Sequence, residues 1–267
     1  MSNADESVCD SACASLGAVL EPAYPYCGSV MVECSSRVEW YGRSANGSKC
    51  ISITIDDFPR KSSTVDDVKR LLCTLERYRA HVTFFVVLER LKRFSIEEAK
   101  EIIRCIRSKG HELGVHFEGS AGCLRSDRRL WCETLELMRF VDSLVCQDDD
   151  FRFRVVRPAG GWANRSIVDA WRDDLKLTTV IGTGYPFDHV RCLRLVRSAR
   201  GEALCAFNMS KDGNRIVVLH DSDHLERTVD RLLQLASARA IRSQTLSWLL
   251  GLDRGSFKVP NTVGMKR

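Results

Sequence analysis

From Cys50 onward the chain alternates short apolar runs with longer stretches whose apolar residues recur every three or four positions. The runs are Ile51 to Ile55, His81 to Val87, Glu112 to Val115, Phe153 to Val156, Leu177 to Ile181 and Ile216 to Leu219. Between them lie helical patterns, with Val65, Val68, Leu72 and Leu75 on one face of the first and Leu130, Leu135, Met138, Val141 and Val145 on one face of a later one. Near-continuous apolar strands separated by helix-length segments are the mark of a parallel sheet covered by helices. The spacing therefore predicts an α/β fold of five to seven β-α repeats, which over about 200 residues favours a closed or nearly closed barrel. The barrel is expected over residues 49–250, after an irregular segment 1–48 rich in turn formers and before a tail 251–267. A doubly wound open sheet is the alternative that alternation alone leaves standing. Local signals agree, since Ser95 and Glu98 have capping-box spacing and Gly110 sits where a helix should stop.

Composition narrows the function classes. Hydrophobic residues make up 44% and charged residues 28% of 267, which excludes disordered and fibrous chains. The net charge of +5 is mild and the basic residues are scattered. Arg125 to Arg129 and Arg191 to Arg200 read as solvated helix faces, so no nucleic-acid partner is expected. No run of 18 apolar residues occurs, so no membrane span is expected. The N-terminus is acidic and shows no basic n-region or apolar h-region; no signal peptide is evident, and a cytoplasmic location is slightly favoured over export. Among 12 cysteines there is no C-x-x-C pair, which argues against a zinc ribbon or a thioredoxin-type site. Cys73, Cys105 and Cys132 fall in helical stretches, where buried free thiols are expected.

Five of the apolar runs are followed by residues able to do chemistry: Asp56-Asp57, His116, Arg157, Asp188 after a longer gap, and His220-Asp221. Strand C-termini share one face of a parallel barrel, so these side chains should converge. Carboxylates, two histidines and an arginine together suggest metal-assisted hydrolysis, in which a carboxylate takes a proton from water and a histidine protonates the leaving group. Taken singly, each has an ordinary reading: a turn cap for Asp56-Asp57, a hydrogen-bonded histidine for His116 or His220, a loop arginine for Arg157 before Pro158. The joint placement is what points to a site.

These residues also lie in segments that resemble the polysaccharide deacetylases, enzymes that N-deacetylate chitin and peptidoglycan. Thr54-Ile-Asp-Asp-Phe-Pro59 is similar to the family's first motif, and Val82 to Val87 to its next strand. Gly110 to His116 resembles its second motif, Arg157-Pro-Ala-Gly-Gly161 its third, and Val217 to Asp221 its last. Gly182 to Asp188 resembles the eukaryotic-type branch. The fold that the resemblance implies is an irregular (β/α) barrel of about seven parallel strands in a single domain. The resemblance implies Asp56 as general base, Asp57 and His116 as ligands of Zn2+ or another divalent metal, and His220 as general acid. It further implies Arg157 as the holder of Asp56, Asp188 as the residue orienting His220, and a backbone N–H near Gly160 as part of an oxyanion hole.

The chain departs from the family at Ser120, which stands where a second histidine normally follows four residues after the first. Glu118, two residues beyond His116, would point the same way along an extended chain and could replace the missing ligand. Cys123 is a more distant substitute, and His111, at an odd offset of five, faces away. Phe58 in place of a glycine should narrow or reshape the entrance. The implied function is a metal-dependent hydrolase removing N-acetyl groups from a chitin-like aminosugar polymer or oligomer. The alternative is a catalytically inactive deacetylase-like protein that retains a carbohydrate-binding groove; a hydrolase of small amides on the same barrel is a third reading.

Overall fold

The computed structural model describes residues 38–39, 49–118, 126–145, 151–161, 163–182, 198–210 and 213–252. Its strands are β1 (Val38–Glu39), β2 (Cys50–Phe58), β3 (Val82–Val87), β4 (Glu112–His116), β5 (Val155–Val156), β6 (Thr178–Val180), β7 (Arg215–His220) and β8 (Arg242–Ser243). The helices are α1 (Val65–Arg77), α2 (Leu88–Leu91), α3 (Ile96–Ser108), α4 (Asp127–Leu144), α5 (Arg165–Asp173), α6 (Ala199–Ser210), α7 (Leu225–Ser237) and α8 (Leu246–Leu250). Among the described residues the strands run in the order β1-β6-β5-β4-β3-β2-β7, with β8 beside the start of β2, and every pairing is parallel. This is the α/β barrel architecture that the alternation predicts. None of the described helices is long and apolar enough to cross a membrane.

The two faces of each strand explain how the barrel is filled. Ile51, Ile53 and Ile55 of β2, Val82, Phe84 and Val86 of β3, and Leu113 and Val115 of β4 join the large core under the helices. The alternate residues Cys50, Phe85, Val155, Val180 and Ile216 form a second cluster inside the barrel, closed by Leu246, Leu249 and Leu250 of α8. Continuing the same period of two along β2, β4, β5 and β7 brings Asp56, His116, Arg157 and His220 to the inner face at the strands' C-terminal ends. Both halves of the predicted capping box at Ser95 and Glu98 form, and Gly110 takes φ 76° at the end of α3.

Some expectations need correction. Residues 38–39, inside the segment read as irregular, form an edge strand on β6. Two residues are too few to show a period, so the sequence could not reveal it. Cys73 and Cys132 are exposed and Cys105 is only partly buried. Cys105 packs against the margin of the core, whereas Cys73 and Cys132 are not part of it. Phe58 does not narrow an entrance; it is buried in the core with its ring centroid 4.6 Å from that of Phe84. His111 does face away from the site: its Nδ1 accepts the Val82 N–H at 3.3 Å, and burial pushes its pKa down to about 3.

Candidate active site

Asp56 and Asp57 are adjacent, so an undistorted strand would point them to opposite faces of the sheet. The register between β2 and β3 shifts: Ile55 pairs with Phe84, but Phe58 pairs with Val86, so β2 carries one extra residue. Asp57 takes φ 62°, a left-handed conformation that non-glycine residues seldom adopt. Such a bulge bends the strand and re-aims a side chain. Here it brings both carboxylates to one imidazole: His116 Nε2 lies 3.9 Å from Asp56 Oδ2 and 3.7 Å from Asp57 Oδ1.

The tautomer of His116 follows from its other nitrogen. Nδ1 is 2.7 Å from the carbonyl oxygen of Arg157, which can only accept, so Nδ1 carries the proton. Nε2 is then the ring nitrogen that faces the two carboxylates. The Arg157 guanidinium fixes Asp56 in turn. Its Nη1 donates to Asp56 Oδ1 at 2.5 Å and lies 2.7 Å from Thr54 Oγ1, its Nε donates to the Val180 carbonyl at 3.2 Å, and its carbon sits 4.1 Å over the Phe85 ring. Gly114 makes room for that ring, since a Cβ there would fall 2.7 Å from Phe85 Cε1. Both members of the Asp56–Arg157 pair are buried.

His220 is opposite Asp56 in the β2–β7 register, and adjacent strands lie about 4.8 Å apart. Asp221 follows it, donating its backbone N–H to the Asp56 carbonyl at 3.0 Å and accepting the Arg60 N–H on Oδ2 at 2.6 Å. Burial pushes the Asp221 carboxyl up to about 6, against the lowering effects of the Arg60 amide and of the Arg60 and Arg90 charges. Its ordinary value is 3.8. Between about pH 4 and 6 the folded protein therefore holds more protons than the unfolded chain. The stability from this group is full below pH 4 and lost as pH rises through 6. Melting temperature should thus fall more steeply from pH 4 to pH 7 in the wild type than in Asp221→Asn. Parallel profiles in scanning calorimetry would count against the buried Asp221 proton.

The carboxylate of Glu118 holds basic side chains, and one of them, Arg90, also meets Asp57. Oε2 accepts Arg90 Nε at 2.6 Å and Oε1 lies 2.6 Å from Lys61 Nζ. Burial alone would raise its pKa, but the hydrogen bonds and charges of Arg90 and Lys61 outweigh that and hold it low. Arg90 Nη2 lies 3.3 Å from Asp57 Oδ1, and Nη1 donates to the Asp57 carbonyl. Arg90 and Lys61 were not among the residues the sequence singled out. Asp188, Ser120 and Cys123 lie outside the described residues. The Pro158–Gly161 turn follows Arg157, with Gly160 and Gly161 both at positive φ.

The donor set suits a divalent cation in part. Asp57 Oδ1 and His116 Nε2 are 3.7 Å apart, near the ~3.3 Å that separates two ligands of one tetrahedral ion. The proton on the far nitrogen of His116, fixed by a backbone carbonyl, is what a ligating histidine needs. Among the described residues no group of three or more His, Cys, Asp or Glu is arranged to hold a metal ion.

The model of the polysaccharide deacetylase family matches residues 43–117, a span that includes Asp56, Asp57 and His116 and stops before Arg157 and His220. No curated protein matches the chain. Among solved structures, the peptidoglycan deacetylase PdaC from Bacillus subtilis has a TM-score of 0.63 at 20% identity, over 78% of this chain and 93% of that one. A CE4 family pseudoenzyme from Bacillus anthracis has a TM-score of 0.64 at 16% identity, over 81% of this chain and 69% of that one. A family 4 acetyl xylan esterase from Clostridium thermocellum, solved with a cobalt ion, has a TM-score of 0.61 at 22% identity, over 76% and 91%. At such identities the likeness carries the fold. Together with the family model it supports the polysaccharide deacetylase (CE4) family. These three proteins are bacterial, and of the Gly182 to Asp188 segment behind the eukaryotic-type branch only Gly182 is described.

Proposed function

We propose that this chain is a hydrolase of the polysaccharide deacetylase type that removes N-acetyl groups from an aminosugar polymer of the chitin or peptidoglycan kind. The observation that carries the reading is the imidazole of His116, turned by the Arg157 carbonyl so that Nε2 faces Asp56 and Asp57 together. Asp57 and His116 are the residues that would hold a divalent cation, and such an ion would lower the pKa of the attacking water.

The chain's own groups then divide the work. Asp56, fixed on Oδ1 by Arg157, has Oδ2 turned to the site and accepts the proton of the water that adds to the acetyl carbon. The C–N bond breaks, and the departing amine takes a proton from His220, leaving acetate and a free amino group. A backbone N–H near Gly160 would donate to the oxygen on which negative charge develops.

Arg90 on Asp57 and Ser120 in place of a histidine favour the second reading, a saccharide-binding protein without turnover. Acetate release from chitin oligomers and from peptidoglycan, measured with and without added divalent cation, separates the two. Release by the wild type that Asp56→Asn loses supports the enzyme. Oligosaccharide binding without release under any cation supports the second reading.

A further inference from the structure

Arg90 belongs to none of the motifs, yet its side chain, 11% exposed, reaches the centre of the site from α2. Its contacts put it in an alternating row of charge. Asp57 meets the Arg90 guanidinium through both its carboxylate and its carbonyl oxygen; Arg90 meets Glu118; Glu118 meets Lys61. The oxygen that counts is Asp57 Oδ1. It has His116 Nε2 at 3.7 Å on one side and Arg90 Nη2 at 3.3 Å on another.

We propose that Arg90 is a positioning residue that sets the divalent-cation affinity of the site, its guanidinium holding the Asp57 oxygen for which a cation must compete. The proposal rests on Asp57 and His116 being the cation's donors. An ion ligated by Oδ1 lies about 2.0–2.2 Å from that oxygen. The guanidinium nitrogen is only 3.3 Å from the same oxygen, so the two positive charges would be near neighbours in a partly buried place where screening is weak. Glu118 works against Arg90. Its carboxylate takes a share of the guanidinium and offsets its charge, so loss of Glu118 should leave Arg90 more firmly on Asp57. The two side chains therefore push cation affinity in opposite directions. A bracing role for Arg90 would not do this, because removing a brace loosens Asp57 and weakens binding.

The test is calorimetric titration of the full-length protein with Co2+, with a thermal melt of each variant to establish folding. Arg90→Gln should tighten the Kd by about tenfold or more. Arg90→Lys, which keeps the charge, should stay close to wild type, and Glu118→Gln should bind more weakly. In the Arg90→Gln/His116→Ala double variant the gain should vanish. An unchanged or weaker Kd in folded Arg90→Gln overturns the proposal, as does a failure of both wild type and Arg90→Gln to bind. If His116→Ala abolishes wild-type binding while Arg90→Gln changes nothing, the proposal alone falls. A gain that survives His116→Ala removes the proposal together with the assignment of the donors.

Discussion

Arg157→Met should lower the unfolding free energy by about 3–5 kcal/mol, the cost of leaving a buried charge without its partner. Arg157 and Asp56 have only 2% and 5% of their side chains exposed, and their hydrogen bond is 2.5 Å long. Methionine fills much of the space over Phe85 but offers Asp56 nothing. The Thr54 hydroxyl and the Val180 carbonyl lose their guanidinium contacts as well. Removing both charges, as in Arg157→Met/Asp56→Leu, should recover much of the loss, because the buried carboxylate no longer has to be desolvated alone. Urea unfolding of the two singles and the double closes the cycle. A loss below about 1 kcal/mol in Arg157→Met would mean that water reaches Asp56 and that the pair is no buried ion pair at all.

Asp56→Asn should reduce acetate release from chitin oligomers by about 10²–10⁴-fold, as should His220→Ala. The amide can still accept the Arg157 N–H through its carbonyl, so the fold should survive and the far-ultraviolet spectrum should match wild type. What it cannot do is take a proton. His220, opposite Asp56 across the β2–β7 pair, would then have no partner reaction to complete. Retention of activity within tenfold by Asp56→Asn would remove Asp56 as the base. Retention by His220→Ala would move the proton donor elsewhere.

Most of the fold was legible because its evidence is local. Apolar runs and helical periods recur within windows of ten residues, and they located β2, β3, β4, β7 and α1, α3 and α4. The runs Phe153 to Val156 and Leu177 to Ile181 also contain β5 and β6, whereas the two-residue strands β1 and β8 fall in no run, since so short a segment has no period of its own. Arg90 was missed for a different reason. Of the six apolar runs in the sequence, the one ending at Val87 is alone in having no site residue after it, and Arg90 stands three positions beyond. That empty run end is the signal that could have found it. A charged residue in a short helix looks like any solvated one until its partners, Asp57 and Glu118, are known to be 33 and 28 residues away.

The sequence by itself therefore determined that Asp56, His116, Arg157 and His220 share the inner face at the C-terminal end of the barrel. A period of two along each strand is enough to place them there. Three things only the tertiary structure decided. The extra residue in β2 turns Asp57 inward beside Asp56, against the strand's own alternation. The Arg157 carbonyl selects the tautomer of His116. Arg90 and Lys61 claim the carboxylates of Asp57 and Glu118. Each depends on a partner delivered by a distant strand or helix, and contacts across the sheet leave no periodic trace in the chain that makes them.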